Sequence, residues 1–268
     1  MPTTRITYDD LPGRVRSAIE EVTGPVASAV SATEGFNSAV AARLSTPTGE
    51  RFCKALPADH RQVWTQRREA AIAPHLKDVA PEVRAHLEVD GWDVLLFEAL
   101  DGYHADYRPG SPDLPAVATL LETIAALPRP PVDLRDMRQR LRDYVEDSAD
   151  LRHFAGSTLV HTDLNNANVI VGDGRAWIVD WGWASCGAAW LDPAYWVLWL
   201  VAAGHDPAAA EQQASAVPAW HVAPPEAITT FACAQANLWN EIAAAKTEDP
   251  WTARLAGAAK QWAALRAV

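Results

Sequence analysis

The sequence predicts an α+β fold, with short strands in the first hundred or so residues and helices dominating afterwards. Three observations lead there. Brief apolar or alternating runs separated by turn residues fill the N-terminal part, at Val26–Ala32, Val40–Leu44, Arg51–Leu56 and Val94–Glu98. From Leu114 onward, apolar residues recur at three- and four-residue spacing. Within that helical half, Asn168–Val171 and Ala176–Asp180 flank Gly172-Asp173-Gly174, which reads as a β-hairpin.

Taken in order, Leu11–Val22 has helical periodicity with Val15, Ile19 and Val22 on one face. The first three strands follow, with a glycine-containing loop at Thr33–Ser38 and a turn at Thr46–Gly49. Arg61–Ala73 reads as a helix ending before Pro74, and Val94–Glu98 as a strongly apolar strand running into Ala99-Leu100-Asp101-Gly102. Tyr103–Pro115 is turn-rich and holds His104 and Asp106, as a surface loop or the rim of a site. Helices are expected over Leu114–Leu127, Leu134–Phe154, Asp192–Ala203, Ile228–Ala245 and Trp251–Ala267.

Composition narrows the function classes. The 268 residues are 49% hydrophobic and 21% charged, the profile of an ordinary globular chain able to bury a core. A net charge of -11 and the lack of a basic stripe argue against nucleic-acid binding. No apolar run reaches the roughly 18 residues that span a bilayer, so no membrane partner is expected. Charges in MPTTRITYDDLPGRVR stand where a signal peptide needs its apolar core, which favours a cytoplasmic location. Cys53, Cys186 and Cys233 are widely spaced and odd in number, consistent with reduced thiols rather than a disulfide framework or a zinc site. Ten of the twelve tryptophans fall between Trp177 and Trp262, where Leu and Ala at helical spacing mark them as core more than as a stacking platform.

The chemistry concentrates in LVHTDLNNANVIVGDGRAWIVDWGW, Leu159–Trp183. His161, Asp163 and Asn168 share one short loop, and Asp180 ends the returning hairpin strand. Phosphoryl transfer needs such a set: a carboxylate to orient a hydroxyl and take its proton, and oxygen ligands for a hard cation against the nucleotide phosphates. Asp163 suits the first task, Asn168 and Asp180 the second. A metal-hydrolase reading with His161 and Asp163 as ligands lacks a second His at i,i+4 and any Cys cluster.

HTDLNNAN resembles the HxDxxxxN catalytic loop of the aminoglycoside phosphotransferase family, and IVDWG its metal-binding segment, as in choline kinase-like small-molecule kinases. Thr162 departs from the family, which usually has Gly there. The resemblance implies a bilobal, protein-kinase-like fold: residues 1–98 as a nucleotide-binding lobe, 99–102 as a hinge and 103–268 as the lobe with the catalytic loop and acceptor site. It implies Asp163 as base, His161 as scaffold, and Asn168 and Asp180 as Mg2+ ligands. It further implies that Lys54, oriented by Glu69, holds the α and β phosphates, that Gly35, Asn37 and Ser38 contact phosphate, and that the backbone of Glu98 and Leu100 pairs with the base. Asp192 in LDPA would brace the loop. The implied cofactors are ATP, with GTP left open, and Mg2+; the partner is a small hydroxyl acceptor. An acidic tail end, ten Asp and Glu against five Lys and Arg from Gly156 on, favours a cationic one. A protein kinase is disfavoured because the stretch after Asp180 is too short for an activation segment. A non-catalytic nucleotide- or partner-binding protein on the same fold is the alternative.

Overall fold

The computed structural model describes residues 4–32 and 38–267. It divides into two compact units, residues 1–102 with 177–182, and 103–176 with 183–268.

In the first unit, α1 (Gly13–Thr23) precedes a five-stranded antiparallel sheet made of β1 (Ser28–Ser31), β2 (Val40–Thr46), β3 (Gly49–Pro57), β4 (Val83–Val89) and β5 (Trp92–Glu98), in the order β1-β2-β3-β5-β4. Between β3 and β4 lies α2 (Val63–Ile72). Period-2 alternation gives the sheet two different faces. Cys53, Ala55, Val94 and Leu96 pack against Val15 and Ile19 of α1, each fully buried helix residue contributing about 1.5–3 kcal/mol. Lys54 lies on the opposite face with Leu56, and Leu56 packs with Val63 of α2. The expected apolar face of α1 is shifted by one residue: Val22 is exposed, and Thr23 is buried with its hydroxyl donating to Ile19 O at 3.0 Å.

The sequence reading missed β4. Its side chains alternate between half-buried Val83, Ala85, Leu87, Val89 and exposed Arg84, His86, Glu88, so the apolar signal is weak. Asp90 and Gly91, both with positive φ, supply the tight turn into β5.

The second unit holds β6 (Tyr103–His104), α3 (Leu114–Ala125), β7 (Arg135–Asp136), α4 (Met137–Leu141), β8 (Thr158–Val160), β9 (Val169–Gly172) and the start of β10 (Arg175–Ile178). It ends with β11 (Ser185–Gly187), α5 (Leu191–Ala202), α6 (Pro207–Ala214), α7 (Pro225–Ala245) and α8 (Pro250–Arg266). The hairpin turn has Asp173 at φ 51 and Gly174 at φ 75, as a two-residue connection between twisted strands requires. The helix expected over Leu134–Phe154 is a correction. Asp136 accepts Arg138 N–H and Asp147 accepts Ala149 N–H, so two N-caps in quick succession break it into α4 and a 3-10 segment. The tryptophan-rich region is core: Phe231 makes edge contacts with Phe154, Trp190, Tyr195 and Trp262.

All three cysteines are free, and burial pushes the Cys53 thiol up to about 12. No helix among the described residues is long and apolar enough to cross a membrane.

Candidate active site

Lys54, Glu69 and Asp180 meet in the first unit, although they come from β3, α2 and the segment after β10. Lys54 Nζ bonds both Glu69 carboxylate oxygens at 3.0 Å and also Asp180 Oδ1. Lys54 and Glu69 are both buried. Burial alone would drive the ammonium toward neutrality, but Asp180 and Glu69 outweigh it and hold the Lys54 pKa above the usual lysine value. Two carboxylates around one ammonium leave an excess negative charge. Burial therefore raises the Glu69 pKa, with Asp180 adding to the effect and Lys54 and the Trp181 N–H opposing it.

Backbone conformation and two hydrogen bonds place Asp180. Asp180 sits at φ 68, a left-handed conformation that Asp tolerates better than most residues. Ile178 N–H donates to Val79 O at 2.8 Å and Trp181 Nε1 to Ile178 O at 3.1 Å, pinning the segment on either side of Asp180. Gly182 lies against α2. A Cβ there would come within 2.7 Å of Thr65 Cβ and 3.0 Å of Thr65 O. Gly182→Ala should therefore displace α2 and destabilise the fold by about 1–3 kcal/mol; an unchanged urea midpoint would show that the contact is relieved without strain.

The helix itself is fastened by Asp93, which is fully buried on β5. Gln66 Nε2 donates to Asp93 Oδ1 at 2.6 Å and to Asp93 O at 2.8 Å, and Arg67 Nε to Asp93 Oδ2 at 3.1 Å. His86 Nε2 is 3.0 Å from Asp93 Oδ2. His86, Glu88 and Asp93 together resemble a cation site, but Arg67 already bridges the two carboxylates, with Glu88 at 3.3 Å. The group is an ion-pair network that orients the helix carrying Glu69.

In the second unit, Asp163 and Asn168 are joined directly. Asn168 Nδ2 donates to Asp163 Oδ2 at 3.0 Å and to Asp163 O at 3.2 Å. Because the amide NH2 is spent inward, Asn168 Oδ1 is the atom left for other chemistry. His161 is fully buried, and its Nδ1 accepts the Asp163 N–H at 3.3 Å, which puts the ring proton on Nε2. Asp192, at the start of α5, accepts His161 N–H at 2.8 Å and Thr162 N–H at 2.9 Å. Thr162 adopts φ 72, a conformation unfavourable for a β-branched residue and costing about 1–3 kcal/mol. Its two hydrogen bonds, N–H to Asp192 and hydroxyl to Trp183 O at 3.2 Å, offset that cost. Thus Thr stands where Gly would be strain-free.

Burial pushes the Asp192 carboxyl up to about 6, only partly countered by the two N–H donors. The folded state then keeps a proton on Asp192 at pH values where the unfolded chain has released it. Stability attributable to this group falls as pH rises from about 4 to about 6. Relative to Asp192→Asn, which does not titrate, the wild type should lose roughly 2–3 kcal/mol between pH 4 and pH 7. Urea unfolding of both at each pH measures this, and a pH-independent difference would refute it.

The remaining predicted positions fare unevenly. Gly35 and Asn37 lie outside the described residues, and Ser38 is half-buried just before β2. In the segment expected to be a hinge, Glu98 N–H is consumed by Glu82 O at 2.8 Å and Leu100 O by Arg43 Nη1 at 2.9 Å, so two of the four backbone groups expected to face the base are engaged within the protein. Sequence reasoning missed Arg43 and Asp93. Asp93 left a trace, a carboxylate inside the apolar run Trp92–Phe97; Arg43 left none.

No family model and no curated protein matches the chain by sequence. Solved structures do match in fold. Aminoglycoside phosphotransferase APH(4)-Ia superposes with a TM-score of 0.59 at 17% identity, over 92% of this chain and 98% of that one. Choline kinase LicA from Streptococcus pneumoniae gives 0.62 at 14% identity, over 94% and 98%. A thermostable mutant of APH(4)-Ia in ternary complex with ADP and hygromycin B gives 0.55 at 18% identity, over 92% and 98%. The chain has the protein-kinase-like α+β fold shared by aminoglycoside phosphotransferases and choline kinase.

Proposed function

We propose that the protein is a small-molecule kinase that moves the γ-phosphate of ATP to a hydroxyl of a small acceptor. The observation that carries this reading is the meeting of Lys54, Glu69 and Asp180. A buried lysine kept charged by one carboxylate on a helix and another after a hairpin is suited to holding nucleotide phosphates. Residues 1–98 form the nucleotide-binding lobe, 99–102 the hinge and 103–268 the acceptor lobe, with 177–182 grouped with the first.

Asp163 is the base. Its carboxylate orients the acceptor hydroxyl and receives its proton as the phosphoryl group arrives, and the Asn168 amide and the His161-braced backbone keep it aimed. Lys54 binds the nucleotide phosphates, and Glu69 keeps its ammonium from collapsing fully onto Asp180. Ser38 contacts phosphate. Asp180 and Asn168 Oδ1 are hard oxygen donors that fit Mg2+, which when bound neutralises charge on the phosphate oxygens.

The acceptor is small and cationic. Ten acidic against five basic residues from Gly156 on support this, as do a fold relative crystallised with hygromycin B and another that is a choline kinase. Nucleotide binding draws support from relatives in complex with ADP and with AMP. Free thiols suit a reducing, cytoplasmic setting. Asp180→Ala should remove the Mg2+-dependent part of ATP affinity in a calorimetric titration; full retention of it would take Asp180 out of the metal site.

A further inference from the structure

The segment Glu98–Asp101 offers a nucleobase a limited set of backbone groups, and the protein has used some of them itself. Arg43 on β2 donates from Nη1 to Leu100 O at 2.9 Å, bridging 57 residues of sequence. The same guanidinium is fixed by carboxylates on both sides, Nε to Glu50 Oε2 at 3.0 Å and Nη2 to Asp101 Oδ1 at 2.6 Å. A planar fork held at three points is a rigid cap. Glu98 N–H goes to Glu82 O and Ala99 N–H to Glu50 O. Glu98 N–H points to the β4 side and its C=O faces the same way, where β4 begins only at Val83 opposite Phe97; outside the strand ladders, and among the described residues, no backbone bond engages the Glu98 C=O or the Leu100 N–H.

What remains is one acceptor followed by one donor. Adenine presents the complement, its N6 amino donor beside the N1 acceptor. Guanine presents an O6 acceptor and then two adjacent donors, N1–H and the 2-amino group. With O6 on the Leu100 N–H, those donors need the Leu100 carbonyl. That carbonyl faces a guanidinium, so guanine N–H groups would meet arginine N–H groups and stay unpaired.

On the phosphotransferase reading above, we propose that Arg43 selects the nucleobase: by capping the Leu100 carbonyl it leaves the hinge matched to adenine and mismatched to guanine, making ATP the preferred donor over GTP.

Displacement of a fluorescent trinitrophenyl-ATP by ATP and by GTP, with Mg2+ and no acceptor, tests this on the full-length protein and on Arg43→Met. The wild type should bind ATP about tenfold or more tightly than GTP, and the variant should narrow that ratio about fivefold, the scale of one unmatched polar pair. Equal affinities in the wild type, or an unchanged ratio in a variant that melts like the wild type, would overturn the proposal while leaving nucleotide binding in place. If Arg43→Met fails to fold, Asp101→Asn loosens the same clamp from an 88% exposed side chain and must shift the ratio in the same direction; no shift overturns it. Failure to bind either nucleotide would sink the phosphotransferase reading, and this inference with it.

Discussion

Asp163→Asn should lower turnover by roughly a hundred- to ten-thousand-fold while leaving nucleotide affinity close to that of the wild type. The substitution is isosteric, and the groups that place residue 163 do not depend on its charge. His161 Nδ1 accepts the backbone N–H, and Asn168 Nδ2 bonds the backbone carbonyl as well as the side chain. An asparagine can retain the loop but cannot take a proton from a hydroxyl. Steady-state kinetics alongside a nucleotide titration separate the two effects. Wild-type turnover would remove Asp163 as base, and joint loss of turnover and nucleotide binding would mean that the loop had collapsed.

Lys54→Met should have the largest effect on stability. Removing the ammonium leaves Glu69 buried and unpaired beside Asp180, a loss of about 3–5 kcal/mol, much of it the cost of a stranded carboxylate. Glu69 then folds protonated, and the variant becomes more stable relative to the wild type as pH falls. The double change Lys54→Met with Glu69→Leu should recover most of the lost stability, because an apolar pair of similar size removes the stranded charge. It should not recover ATP binding. Urea unfolding and nucleotide titration across the four proteins form a double-mutant cycle. If the double variant bound ATP, Lys54 would be a packing residue; if Lys54→Met cost less than about 1 kcal/mol, the buried pair would not be coupled.

The portion of the site legible in the sequence was the portion built from local spacing. Asp163 and Asn168 are five residues apart and bonded, and the hairpin that leads to Asp180 is written in its Asp-Gly turn. Lys54 and Glu69, fifteen residues apart, needed only a strand followed by a helix packed on it. The contacts that escaped are long-range or depend on burial. Arg43 reads as an ordinary strand arginine until Leu100 and Asp101 fold back beside it. Asp93 is only a carboxylate inside an apolar run until α2 covers it with Gln66 and Arg67. The fold followed the same division: α3, α5, α7 and α8 have strong periodicity, whereas β4 has half-buried apolar residues and the Leu134–Phe154 region has two internal caps that override its spacing. Thr162 is instructive in the other direction. Its departure from Gly marked a strained backbone position, and Asp192 and Trp183 O are the partners that make Thr tolerable there.

Transfer of radiolabelled γ-phosphate from Mg2+ATP to a small hydroxyl compound is the decisive measurement for the proposed kinase activity. The panel should span aminoglycosides, nucleoside and peptide antibiotics, choline and sugars, each run with the wild type and with Asp163→Asn. The expected result is a labelled acceptor with the wild type, strongest among the cationic compounds, and almost none with the variant. Tight ATP binding with no labelled acceptor anywhere in the panel, or equal labelling by both proteins, would contradict it.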